Sequence, residues 1–126
     1  MALLVRMLHA FGAAGSEGTF MSLVAGIAIL GGITATWGNL VALHQTNLKR
    51  LLAYSSIAHA GYMMMGAALV GYHGGNPAAL TDATGAILFY LLVYLFMNLG
   101  AFTIAGMIVN RTGSEELADY AGLSRR

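Results

Sequence analysis

Cysteine is absent from the 126 residues. Its absence removes disulfides, thiolate metal sites and thiol catalysis together, and it leaves the redox compartment undetermined. Charge is nearly as scarce, with 9% of residues charged against 58% hydrophobic. Soluble domains carry about 25% charged residues, so this chain cannot cover a water-facing surface in the usual way. Six basic and five acidic residues almost cancel, which leaves no basic footprint for nucleic acid. There is also no Gly-rich phosphate loop, metalloprotease pattern, nucleophile elbow or pair of carboxylates within an apolar stretch. His9, His44, His59 and His73 are too scattered to predict a haem or a metal.

What the chain does have is long apolar runs. A membrane-spanning helix needs about 20 mainly apolar residues. Residues 20–44, 48–71 and 83–109 meet that length. Residues 1–11 make part of a further span, interrupted by Arg6 and His9 and stopped by the Gly/Ala/Ser stretch 12–16. With no charged leading region and no small-residue cleavage site, this opening reads as mature helix and not as a signal peptide. The expected fold is therefore all-α, a polytopic membrane helical bundle with three full transmembrane helices plus part of a fourth. The chain reads as an internal portion of a longer protein.

The connections carry further information. Residues 12–19 and 71–82 hold turn-forming Gly, Ser, Asn76-Pro77 and Asp82. The link at Gln45-Thr46-Asn47 is so short that its flanking helices must be antiparallel neighbours. The tail 111–126 is the clearly soluble segment, with a short surface helix expected to begin near 114–119. Lys49, Arg50, Arg111, Arg125 and Arg126 fall on one side, and the loops opposite carry no Lys or Arg. The positive-inside rule then predicts a cytoplasmic Thr46 turn and a cytoplasmic C-terminal tail. In the first full span, Ser22/Gly26, Gly31/Ala35 and Thr34/Gly38 are small pairs four apart. Such faces let backbones approach closely in lipid.

The candidate chemistry begins at Lys49. One reading makes it an anchor, its amine snorkelling to the headgroups beside Arg50. The other makes it a relay at the mouth of a polar path, which suits lysine because burial lowers its pKa while arginine stays charged. His59 follows ten residues on, about 15 Å deeper at 1.5 Å per residue. Ser55 and Ser56 precede it by four and three residues and share its face, so a polar stripe runs inward from Lys49. Histidine titrates near pH 6.5, within working pH. The same position also suits a neutral imidazole bonded to a neighbouring helix, and both readings stay open. Tyr90, Tyr94 and Asn98 form a matching stripe at four-residue steps on the third span. There Asn98 and Tyr94 are the expected supporting polar network, since a buried amide needs partners. Asn39 and Trp37 are secondary candidates. Met63-Met64-Met65 reads as packing, because helical spacing cannot aim successive thioethers at one metal.

The block Asn39-Leu40-Val41-Ala42-Leu43-His44-Gln45-Thr46-Asn47-Leu48-Lys49-Arg50-Leu51-Leu52-Ala53-Tyr54-Ser55-Ser56-Ile57-Ala58-His59-Ala60-Gly61-Tyr62 resembles the antiporter-like membrane subunits of respiratory complex I. Its Ser-Ser-Ile-Ala-His-Ala-Gly-Tyr variant looks most like the subunit N branch of that family. Subunits of multi-subunit cation/proton antiporters share the Lys-Arg-Leu-Leu-Ala-Tyr-Ser core and are the alternative, and a purely structural membrane module is the third. The closing Asp119-Tyr120-Ala121-Gly122-Leu123 is similar to the family's cytoplasmic loop. The resemblance implies a proton-translocating NADH-quinone oxidoreductase in a bacterial or archaeal plasma membrane. It implies that NADH, flavin, iron–sulfur clusters and quinone belong to partner subunits, with none bound by this chain. Partners would be other membrane subunits of the complex, lipid and the remainder of its own subunit. The family's buried glutamate, its two preceding intramembrane lysines and its later lysine have no counterpart here, so this stretch alone should not pump protons.

Overall fold

The computed structural model describes residues 4, 6–8, 10, 17–72 and 76–121. The 12–16 stop and the tail beyond 121 lie outside the described residues, as do several positions of the opening span. The described positions of that span (Leu4, Arg6, Met7, Leu8 and Ala10) are helical. Three long helices follow, α1 (Glu17–Leu43), α2 (Leu48–Tyr72) and α3 (Pro77–Thr112), and then a single 3-10 turn at Leu117–Tyr120. No strand occurs among the described residues, although one isolated antiparallel bridge joins Asn47 to Glu116. The chain is thus all-α, as its apolar runs predict.

Helix limits follow from local chemistry. α1 closes without a glycine or a basic last turn. Instead the ring of His44 reaches the Leu40 carbonyl at 3.1 Å, and the Gln45 amide donates to that of Val41 at 3.2 Å. These bonds satisfy carbonyls that a helix end leaves orphaned. Asn47 then starts α2 by accepting the Arg50 amide on its side-chain oxygen at 3.1 Å. At α3 the expectation of a turn through residue 82 is corrected, because the helix begins at Pro77. Asn76 is its N-cap, its oxygen accepting from Ala78 and Ala79 at 3.1 and 3.4 Å. Pro77 sits in the first turn, where its missing N–H costs nothing. The 36 residues of α3 extend about 54 Å at 1.5 Å per residue, well beyond a ~30 Å hydrocarbon core. Asp82 and Arg111, near opposite ends, are therefore compatible with a spanning helix. At the far end Gly113 adopts φ 72° and returns its N–H to Val109, a left-handed cap that glycine takes without strain. The surface helix expected from about 114 is also corrected: 114–116 is not helical, and only the 3-10 turn at Leu117–Tyr120 forms.

By length and composition, α1 and residues Ala78–Thr112 of α3 are apolar enough to cross a membrane. α2 has the length, but Tyr54, Ser55, Ser56, His59 and Tyr62 make it less apolar than the other two. It lies between its neighbours, packed along α1 and, over a shorter stretch, against α3. The buried residues are small: Ala35, Ala58, Ala67, Ala68, Val70 and Ala105, with Val24 and Leu8. The large apolar side chains point outward, Phe89 and Phe96 of α3 among them. That inverts the soluble pattern and suits a protein whose outer faces meet lipid or further helices.

The α1–α2 seam is glycine-tight. A Cβ on Gly38 would lie 2.7 Å from the Ala58 nitrogen, and one on Gly61 would lie 2.6 Å from the Gly31 carbonyl oxygen. Gly31, Ala35 and Gly38 thus form the close face the sequence predicts. Among the described residues nothing lies within 4 Å of a Cβ added at Gly26, so the Ser22/Gly26 pair lies off that face. Several helix hydroxyls are satisfied locally: Thr36 donates to Gly32 at 2.8 Å and Thr103 to Leu99 at 2.6 Å. This is how a helix carries hydroxyls where water is absent.

Candidate functional site

His59 sits half-buried on α2, facing α3. Its Nδ1 shares a hydrogen bond with the Tyr90 hydroxyl at 2.5 Å. The Tyr94 ring, one turn further along α3, lies tilted against the imidazole with centroids 4.9 Å apart. On α2 itself Tyr62, three residues on and hence on the same face, meets the imidazole edge-on at 5.8 Å. The Tyr62 hydroxyl accepts from the Asn39 side-chain amide of α1 at 2.6 Å. Asn39, Tyr62, His59 and Tyr90 therefore form a lateral polar file across all three helices. Its two hydrogen bonds lie at the helix–helix junctions, and a ring contact joins them in the middle.

The chemistry of the His59–Tyr90 bond follows from its partners. A phenol both donates and accepts. A neutral imidazole carrying its proton on Nε2 accepts the Tyr90 proton at Nδ1. A protonated imidazole donates from Nδ1 to the Tyr90 oxygen. The contact survives in either state, so a change of charge on His59 need not break the helix pair.

The remaining candidates are dispersed. The Lys49 ammonium pairs with Glu115, beyond α3. Ser56 donates to the Leu52 carbonyl of its own helix at 3.1 Å. The side chains of Ser55 and Asn98 have no hydrogen-bond partner among the described residues. Asn98 lines a groove on α3 with Leu91, Tyr94, Leu95, Leu99 and Phe102. Of the expected supporting pair, Tyr94 meets the His59 ring by packing, while the hydrogen bond to the imidazole comes from Tyr90, one turn nearer the start of α3. Lys49 and His59 thus take part in two separate contacts, a charged pair at the helix mouth and a lateral file deeper in, with Ser55 and Ser56 between the two levels. Among the described residues no group of three His, Asp or Glu side chains converges on a metal position.

Sequence reasoning missed Tyr62, Glu115 and Asn47. Tyr62 had a readable signal, its i+3 spacing from His59. Glu115 had none, since it meets Lys49 only through the return of the chain after α3. Glu115 accepts from Lys49 on one carboxylate oxygen and from the Asn47 amide on the other at 3.1 Å. Lys49 first, and Asn47 after it, hold the Glu115 carboxyl below its ordinary pKa.

The profile described as NADH:quinone oxidoreductase/Mrp antiporter, TM, matches residues 1–126. The NADH-quinone oxidoreductase subunit N of Anaeromyxobacter sp. (strain Fw109-5) is 49% identical over 100 residues, 79% of this chain and 18% of that protein. The subunit N of Geobacillus kaustophilus (strain HTA426) is 47% identical over 130 residues, 98% of this chain and 24% of its own length. The NAD(P)H-quinone oxidoreductase subunit 2 of Picosynechococcus sp. (strain ATCC 27264 / PCC 7002 / PR-6) is 52% identical over 90 residues, 71% of this chain and 15% of that protein. The chain spans no more than 24% of the length of these relatives. No solved structure matches. With its apolar helices and its match from end to end, this chain belongs to the transmembrane family of NADH:quinone oxidoreductase and Mrp antiporter subunits.

Proposed function

We propose that this chain is the part of a proton-translocating NADH-quinone oxidoreductase membrane subunit that passes protons laterally between buried groups on flanking helices. The observation that carries this reading is the His59–Tyr90 bond, a titratable group joined to an amphoteric one within apolar helices. A polar group at that depth is expensive unless it is used, and such groups mark proton and ion paths. The Tyr62–Asn39 bond extends the file toward α1. Names among the relatives favour the oxidoreductase over a free-standing antiporter. NADH, flavin, iron–sulfur clusters and quinone then belong to partner subunits, and this chain contributes to the proton side of the coupling. The Thr46 turn and the tail after Arg111 face the cytoplasm of a bacterial or archaeal cell.

The roles divide accordingly. His59 takes and releases the proton, Tyr90 and Tyr94 orient its ring, and the Tyr62–Asn39 bond, joined to His59 by a ring contact alone, fastens that side of α2 to α1. Lys49 keeps a charge at the mouth of α2. Ser55 and Ser56 lie between the two levels and bridge them only through water, because neither hydroxyl bonds the lysine or the histidine directly. The test is His59→Gln in the full-length subunit within the assembled complex. Glutamine keeps a hydrogen bond to Tyr90 but does not titrate. Normal assembly with a several-fold loss of NADH-driven proton pumping is expected, and wild-type pumping would make His59 a helix fastener.

A further inference from the structure

The segment after α3 returns to the start of α2 and is held there by backbone and side chains together. The Leu48 amide donates to the Glu115 carbonyl at 2.9 Å and the Leu117 amide to the Thr46 carbonyl at 2.8 Å. These two bonds flank the Asn47–Glu116 pair, the pattern in which facing residues exchange no bond of their own and sit closest. The segment is braced within itself as well. Ser114 donates to Asp119, and Tyr120 donates to the Ser114 carbonyl at 3.3 Å. Gly113 sets the direction of return with its left-handed backbone. Residues 114–120 are thus a strap that links the last turn of α3 to the α1–α2 turn.

The carboxylate of Glu115 is the strap's functional end. Its two oxygens are divided between the Asn47 amide, at the N-cap of α2, and the Lys49 ammonium in the first turn. We propose that Glu115 is a positioning residue, holding the Lys49 ammonium outward at the Thr46 end of α2 rather than along the helix toward His59. The functional weight of this rests on reading Lys49 as a proton-handling group. The charged neighbours are few. Arg50 lies on the same helix and adds to the positive field at Glu115. Glu116 and Asp119 lie on the strap, and Asp119 is engaged by Ser114. The pair lies at the exposed end of the helices, so a change at Glu115 leaves the α1–α2 seam and the His59 file untouched.

The experiment uses the full-length subunit in the assembled complex, in vesicles that present the Thr46 turn outward. A membrane-impermeant amine-acylating ester reports on Lys49, and NADH-driven pumping is followed across pH. Glu115→Gln removes the ion-pair partner that holds the ammonium in place, which frees the amine for the reagent. Lys49 should then label several-fold faster, and the pH profile of pumping should move. Glu115→Asp, which restores the charge, should return both toward wild type. Unchanged labelling in Glu115→Gln overturns the positioning role. Faster labelling with an unchanged pumping profile keeps the strap but removes Lys49 from proton transfer. That outcome separates failure of this inference from failure of the functional reading beneath it.

Discussion

At the scale of single residues, His59 and Lys49 illustrate two ways of keeping a polar group in or beside a membrane. His59 lies among rings that pack against it, with one hydroxyl that fits both of its protonation states. Lys49 stays at the end of its helix, where Glu115 matches its charge. The strap carries a pH dependence of known sign. Glu115 has its pKa lowered in the folded chain, so its contribution is fully present above its ordinary value of 4.5 and lost as pH falls through the lowered one. Hydrogen exchange at the Leu48 and Leu117 amides, corrected for the intrinsic rate, should show protection that holds at neutral pH and weakens below 4.5. Protection that weakens on raising the pH from neutral to mildly alkaline would contradict that sign. The presence of a titratable residue within α2 was legible from sequence, because a histidine in a membrane helix stands out against an apolar background. Its partner was not, since Tyr90, Tyr94 and Asn98 share one stripe and only the seating of α3 on α2 selects among them. Lys49 was legible as a residue at a helix mouth. Its pairing with Glu115, 66 positions away, was beyond any local pattern.

At the scale of elements, the α1–α2 seam is the tightest part of the chain and tolerates the least change. Gly61 faces the Ala35 and Gly31 backbone, and Gly38 faces Ala58. An added methyl at either glycine must push backbone apart, and overpacking of this kind costs about 1–3 kcal/mol. Gly61→Ala and Gly38→Ala should lower the thermal stability of the detergent-solubilised complex, or the yield of assembled subunit. Gly100→Ala and Gly106→Ala, where nothing among the described residues lies within 4 Å of the added methyl, should leave the α1–α2 seam intact and cost less. Equal losses at all four positions would mean that glycine flexibility, and not close approach, is what matters. The helices themselves were readable because lipid demands long apolar runs with internally satisfied backbone. Their ends were less so. Asn76-Pro77 reads as a turn by composition, yet the same two residues are a good helix start, and only the continuation into α3 decides between them.

At the scale of the whole molecule, the chain has little interior of its own. Its buried residues are small, and its large side chains face outward for lipid or the remainder of the subunit to cover. Orientation is the property of the whole that the basic residues set. Single cysteines at Thr46 and at Ala78, on a cysteine-free background, should label from opposite sides of sealed vesicles, with Thr46 reached from the cytoplasmic side. Labelling from the same side would mean that α2 does not cross the membrane. The same scale holds the central claim, that His59, held by the Tyr90 hydroxyl, is a proton relay and not merely a fastener between α2 and α3. The most direct measurement is the number of protons pumped per NADH oxidised by the complex carrying Tyr90→Phe, which keeps the ring and removes only the hydroxyl. With assembly intact, that ratio should fall by an amount similar to the loss in His59→Gln, and the double variant should lose little more than either alone. A Tyr90→Phe complex that assembles normally and pumps at the wild-type ratio would contradict the relay.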